Sequence, residues 1–307
     1  MIDNPVPWPN GARCAVAFTF DIDTDSFLHL SFGAKMPDMV ATTSWARYDE
    51  IALPRILQIY RDFGLKQTFF YPAWCMERYP QLVEDILKEG HELAHHGYIH
   101  ESMSRLPSRE IEVELIVRGV EVFEKLTGER PRGFRAPNYH FSRYTASILA
   151  ELGFQYDASL MDDDVPSVYE TAGGSLIGLP SSGALDDWAQ YVNNSEVGSV
   201  RSIKSPDEAA KTYMAEFEAA YKYGGMWIGV WHPWVSGRLA RAEAMRDMIQ
   251  RMQGRGDVWF TTMRGIASHV EGLIARREWV PRRVKLPYYD KPLPVDEIPP
   301  QTGRETR

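Results

Sequence analysis

Short apolar runs that stop at a carboxylate, an arginine or a histidine recur along this chain, and a stretch with helical periodicity follows most of them. Residues 14–20 (CAVAFTF) are long enough for a buried strand and too short for a helix, and they run straight into Asp21-Ile22-Asp23-Thr24-Asp25. Residues 67–71, 92–94, 133–134, 154–156, 176–179, 226–231 and 258–260 read as further strands. Between them, residues 48–63, 80–88, 107–126, 143–152, 209–223, 238–252 and 263–275 carry an apolar face at helical spacing, several closed by glycine. About seven strand–helix units in series leave few architectures open. The expected fold is α/β, with a parallel sheet and right-handed crossovers closed into a distorted (β/α)7-8 barrel.

A chain of 307 residues fits one such barrel, and residues 1–279 are assigned to it. Residues 280–307 hold six prolines, many charges and no apolar period, and read as a Pro-rich charged C-terminal tail. Tyr288 and Tyr289 would be exposed there unless the tail wraps a neighbouring copy, so a homo-oligomer is expected. Residues 27–45 and 162–191 break the alternation and read as long segments over the barrel mouth.

A net charge of -8 without a basic cluster before the tail excludes a nucleic-acid surface, which must neutralise phosphates. No basic start leads into an apolar run, and no stretch approaches the ~20 apolar residues of a membrane span. The expected location is cytoplasmic, where Cys14 and Cys75 read as small buried hydrophobes rather than a disulfide.

Parallel barrels place their chemistry at the carboxyl ends of the strands. Those ends carry Asp21 and Asp23, His96 and His100, Arg135, Asp157 and His232. His96 and His100 are four apart with Gly97 between them, so a single turn or short helical start could aim both imidazoles at one point. Carboxylates at the end of a buried strand are costly unless paired or bound to a cation, and alternation turns Asp21 and Asp23 to the same side. One carboxylate with two histidines makes a three-ligand metal site with a position left open, the arrangement of a catalytic ion. The other carboxylate is then available as a base, and a separate histidine as an acid. His95 points elsewhere if His96 points in, and reads as a satisfied or solvent-facing imidazole.

In this order the motifs resemble those of the NodB-like polysaccharide deacetylase family. Phe20-Asp21-Ile22-Asp23 is similar to its first motif, as found in the branch with allantoinase-like enzymes, cyclic imide hydrolases and some peptidoglycan deacetylases. His96-Gly97-Tyr98-Ile99-His100 is similar to the second, Arg135-Ala136-Pro137-Asn138 to the third, and His232-Pro233-Trp234 with Gly237-Arg238 to the last. The resemblance implies a metal held by Asp23, His96 and His100, with Asp21 as base, Arg135 steadying it, and His232 as general acid. It implies a backbone N–H at Asn138 for the oxyanion, although the family often has tyrosine there. Asp157 is the implied orienter of His232, with Asp162, Asp163 and Asp164 as competitors.

The cofactor implied is one divalent metal, Zn2+ ahead of Mn2+, Co2+ or Ni2+. Arg47 or Arg238 could contact a polar substrate edge, and Trp234 could wall an apolar pocket. The expected activity is metal-dependent hydrolysis of a non-peptide C–N bond, with a small cyclic imide or amide as substrate. N-deacetylation of N-acetyl sugars or peptidoglycan fragments is the competing expectation. A non-catalytic binding protein on the same barrel is a third, though such a protein would not need a second aspartate and a distal histidine beside a complete ligand set.

Overall fold

A computed structural model describes residues 1–294 of the chain. β1 (Cys14–Asp21) is followed by α1 (Ser26–Phe32), α2 (Val40–Ala46) and α3 (Asp49–Asp62). Next come β2 (Thr68–Tyr71), α4 (Ala73–Arg78), α5 (Pro80–Lys88), β3 (Glu92–His95), α6 (Arg109–Thr127), β4 (Gly133–Phe134), α7 (Thr145–Glu151) and β5 (Tyr156–Asp157). The second half holds β6 (Ser167–Thr171), β7 (Gly174–Gly178), α8 (Asp187–Tyr191), α9 (Pro206–Tyr223) and β8 (Met226–Trp231). It ends with α10 (Pro233–Ser236), α11 (Leu239–Gln253), β9 (Val258–Phe260), α12 (Met263–Ala275) and β10 (Arg282–Lys285).

These strands form one α/β sheet in the order β10-β6-β7-β5-β4-β3-β2-β1-β8, parallel throughout except where β6 runs against β7. The ring is not closed. Among the described residues β7 and β8 are not paired, and an isolated bridge between Asp186 and Val230 joins the intervening segment to β8. The distortion is centred on β1. Its residues 15–20 pair with β8 along one edge, while the other edge is shared by β9 opposite Cys14–Val16 and by β2 opposite Phe20 and Asp21.

Alternation along β1 explains which way its side chains point. Val16, Phe18 and Phe20 pack outward with the helix faces of α3 and α11. Ala15 and Ala17 face the interior of the ring with Phe70, Ala94, Tyr156 and Ile228, where the bulk of the opposing rings leaves room only for small residues. Asp21 continues that inner row. The helices end where their capping residues say they should: Ser108 accepts from Ile111 N–H and Gly128 is left-handed around α6, and Ser205 with Glu208 forms a capping box before α9.

Three expectations need correction. Residues 27–45 are not a loop but α1, a 3-10 segment (Gly33–Asp38) and α2, helices too short and too thinly buried to print a period. Residues 162–191 contain the β6–β7 hairpin, whose Ala172-Gly173 turn and exposed ends hide the strand pattern. The assigned tail begins with a strand: β10 pairs in parallel with β6, and Arg282 forms ion pairs with Asp162 and Asp163 at 2.7 Å each. Only Val284 of β10 is buried, so no apolar run marks it. Tyr288 and Tyr289 are exposed, and residues 295–307 of the assigned tail lie outside the described residues.

Candidate metal and catalytic site

Asp21, at the end of the inner row of β1, meets Arg135, which follows β4. The guanidinium donates to Asp21 Oδ1 at 2.6 Å and to Thr19 Oγ1 at 2.9 Å, and lies 3.9 Å from the centre of the Phe70 ring. Both residues are buried. A buried guanidinium without a carboxylate is strongly destabilising, so the two charges belong together.

Two residues on, Asp23 faces the histidines. Its Oδ1 lies 3.5 Å from His96 Nε2 and its Oδ2 3.4 Å from His100 Nε2. One ligand atom from each of Asp23, His96 and His100 can be chosen so that all lie within 4.8 Å of one another. The histidines converge not on a helical turn, as the spacing suggested, but on a bend in which Gly97 (φ +74°) and His100 (φ +66°) are left-handed. A side chain at position 97 would also press on Pro137 and Glu101. The Glu101 carboxylate holds the bend by accepting from the N–H groups of Tyr98 and Ile99 at 2.9 and 2.7 Å. His96 Nδ1 is 2.8 Å from the carbonyl of Arg135; donating there, it keeps the Nε2 lone pair turned to Asp23.

The fit to a cation shows in what is left over. Asp23 Oδ1 is buried with no hydrogen-bond partner among the described residues. Burial works to raise the Asp23 pKa, yet the neighbouring His100, His232 and His96 hold it below the usual carboxylate range. Asp49 is a second buried carboxylate nearby, pushed well above its ordinary value by burial and by the charge of Asp23. Two imidazole nitrogens and a carboxylate oxygen suit a divalent transition metal with positions open for other ligands.

His232 follows β8, and its Nε2 lies 3.4 Å from Asp23 Oδ2. Its Nδ1 is 2.7 Å from Asp187 Oδ1, while Asp187 Oδ2 accepts from the backbone N–H of His232 and the hydroxyl of Ser236 at 2.9 and 2.6 Å. Burial alone would depress the His232 pKa, but attraction and the hydrogen bond to Asp187 hold it well above the ordinary value. The carboxylate bonded to His232 is therefore Asp187, not Asp157. Asp157 accepts from Ser159 N–H and hydroxyl at 3.0 and 2.6 Å, and burial pushes its pKa up to about 7. Asp162 and Asp163 face Arg282 instead. Asp187 escaped sequence reasoning because it opens α8 inside a segment read as an excursion; the Asp186–Val230 bridge is what brings that segment beside the end of β8.

Asp187→Asn keeps the shape of the side chain but can donate to Nδ1, which favours the wrong imidazole tautomer. Turnover is expected to fall on the order of 10²-fold with metal content unchanged, measured by steady-state kinetics beside elemental analysis.

The cluster forms the floor of a cleft of about 660 Å3. Phe27 and Trp188 wall it with apolar surface; Asn138, Tyr139, His140 and Asp186 supply polar edges. Tyr139 donates to Asp186 Oδ2 at 2.7 Å, and burial pushes the Asp186 pKa up to about 6 against the pull of His232. Asn138 and Tyr139 both have left-handed backbones, φ +53° and +57°. Three residues expected at the substrate do not line the cleft, although Trp234 lies directly behind its wall, 6.2, 5.6 and 5.7 Å from the rings of Phe27, Trp188 and His232. Trp234 is fully buried, its ring 4.1 Å from that of Trp45; Arg238 stacks 3.6 Å above Tyr48; Arg47 pairs with Glu50 at 2.8 Å. Each finds an aromatic or charged partner outside the cleft lining. His95 is turned away from the cleft, with its Nε2 buried and without a hydrogen-bond partner among the described residues. It is buried between α6 and β4, its Nδ1 accepting from Gly97 N–H at 3.0 Å, and its ring occupies the space that a side chain at Gly119 would need.

Known proteins resemble this chain in sequence and fold. The family model described as polysaccharide deacetylase matches residues 33–156. A peptidoglycan deacetylase of Helicobacter pylori is 32% identical over 174 residues, covering 56% of this chain and 58% of its own, and a peptidoglycan-N-acetylglucosamine deacetylase of Bacillus cereus is 32% identical over 107 residues, 35% and 49%. The chain thus spans about half the length of these relatives. Among solved structures, a candidate polysaccharide deacetylase from Mycobacterium smegmatis is 38% identical with a TM-score of 0.86, over 94% of this chain and 99% of that one. The allantoinase PuuE shares the fold, with a TM-score of 0.76 at 24% identity over 88% and 95% of the two chains. With similarity running the full length of the Mycobacterium smegmatis protein, and with an open parallel ring carrying carboxylates and histidines at its strand ends, this chain belongs to the polysaccharide deacetylase family.

Proposed function

We propose that this protein hydrolyses a non-peptide amide or imide C–N bond with one divalent metal, zinc first, held by Asp23, His96 and His100. The observation that carries the proposal is that two proton-handling residues from different strand ends reach the same ligand cluster, each with its own fixed partner: Asp21 with Arg135, His232 with Asp187. A bound divalent ion supplies Lewis acidity, polarising the carbonyl and making a water acidic near neutral pH. Asp21, ion-paired with Arg135, accepts the proton of the attacking water. His232 holds a proton because of Asp187 and delivers it from Nε2 to the departing nitrogen, without which an amine anion leaves poorly. Asn138, left-handed and part of the cleft lining, would offer a backbone N–H to steady the developing oxyanion.

A cleft of about 660 Å3, lined by residues of α1 and α8 and walled by Phe27 and Trp188, is within the size range of small-molecule sites. A small cyclic imide or related amide is therefore the first choice. N-deacetylation of an N-acetyl sugar is the second, favoured by the names of the Helicobacter and Bacillus relatives. A panel of succinimide-type rings, hydantoins, allantoin and N-acetylglucosamine oligomers, assayed with added metal, separates them. Turnover confined to the oligomers would discard the cyclic imide and keep the C–N hydrolase; no turnover of any member, with metal bound, would count against both.

A further inference from the structure

Asp49 has no place in the chemistry above, yet it is fully buried at the start of α3 and makes two bonds of unusual reach. Its Oδ2 accepts from the backbone N–H of Thr24 at 3.1 Å, and its Oδ1 accepts from the backbone N–H of Trp234 at 2.6 Å. Thr24 is the residue after the metal ligand Asp23; Trp234 is two residues after the proton donor His232. One carboxylate therefore ties the loop after β1 to the first turn of α10, just beyond the short β8–α10 connection that holds His232. Asp23 Oδ2 in that loop and His232 Nε2 in that connection are 3.4 Å apart.

The Thr24 backbone shows why a tie is needed. It is left-handed, φ +46°, a conformation that a β-branched residue adopts only when its surroundings impose it. Its hydroxyl is buried without a hydrogen-bond partner among the described residues, so the side chain gains no bond there. What the structure shows holding the loop is Asp49 on the Thr24 N–H, with Ser26 hydroxyl and Cys75 thiol donating to the Asp23 carbonyl at 2.7 and 3.1 Å. The last two fix only the Asp23 side. Asp49 alone among these reaches across to the turn that follows His232.

We infer that Asp49 is a positioning residue that holds the metal ligand Asp23 and the acid His232 in register through the backbones of Thr24 and Trp234. This rests on the metal-dependent reading above. Groups that orient a metal ligand typically matter by 10–100-fold in affinity or activity when removed. Asp49→Asn keeps the size but offers one acceptor oxygen where two are used, so one of the two N–H groups loses its partner.

The test is zinc affinity of Asp49→Asn and Asp49→Ser by competition with a chromogenic chelator, beside kcat and KM and a circular-dichroism melt. The expected result is zinc binding 10–100-fold weaker, and kcat at saturating zinc lower by a similar factor with KM held within about twofold, in protein that retains its circular-dichroism spectrum. Serine, shorter and easier to bury, keeps the question open to measurement if the asparagine variant does not fold. A lower melting temperature with wild-type zinc affinity and kcat in either variant would reduce Asp49 to a support of the fold and overturn the inference. Wild-type protein that takes up no zinc would overturn the metal reading itself, and this one with it.

Discussion

His100→Ala yields a protein that folds but binds zinc at least ~100-fold more weakly than wild type, and its activity follows the metal content down. One ligand of three is lost, and the two that remain, Asp23 and His96, can no longer enclose an ion. The backbone contributes little to this loss. His100 sits at φ +66°, which histidine tolerates better than alanine, and it faces the buried Asp23 carboxylate, so the metal-free alanine protein should melt somewhat below metal-free wild type while still folding. His100→Asn, which tolerates the left-handed region better, is the companion variant: folded at least as well as the alanine protein, and equally poor in zinc if the imidazole is what matters. Elemental analysis of dialysed protein decides the matter. Full metal content in either variant, or full activity in metal-free wild type, would remove His100 from the site.

Strand ends told more in the sequence than strand partners did. The apolar runs of β1, β2, β3 and β8 are buried along nearly all their length, which makes them continuous in sequence and places the polar residue that ends each one. Asp21, Asp23, His96 and His232 were legible for that reason. β6 and β10 were not, because β6 is short and frays into an exposed turn, while β10 is exposed at all but Val284 and takes its partner from more than a hundred residues away. Asp187 was missed for a related reason: the family resemblance pointed to Asp157, at the end of β5, whereas the carboxylate on His232 is the first residue of a short helix in the adjoining irregular segment. Asp49 lay beyond reach altogether. A lone acidic residue opening an amphipathic helix reads as a helix-dipole partner, and only the folded chain shows its carboxylate turned to two backbone N–H groups 25 and 185 residues away. Trp234, Arg47 and Arg238 erred in the other direction. Proximity to a motif suggested substrate contacts, but their rings and charges are taken up by Trp45, Glu50 and Tyr48.

Asp21→Asn separates the two aspartates that the sequence sets one residue apart. Its oxygen can still accept from Arg135, so the buried guanidinium keeps a hydrogen bond but loses its counter-charge, and stability should fall by less than the ~3–5 kcal/mol of a fully broken buried pair. The proposed ligand set does not include Asp21: its Oδ2 lies 3.6 Å from His96 Nε2, but only Asp23 reaches both His96 and His100, with separate oxygens. Zinc content should therefore stay at the wild-type level. Turnover should drop by about 10²–10⁴, because an amide cannot take the place of a carboxylate as proton acceptor. Lowering the charge beside Arg135 also leaves that cation uncompensated, which opposes a proton building up at the same place and keeps the loss toward the upper end of that range. A variant that loses zinc in step with activity would mean that Asp21 is a ligand, and that the base and the ligand must be exchanged between positions 21 and 23.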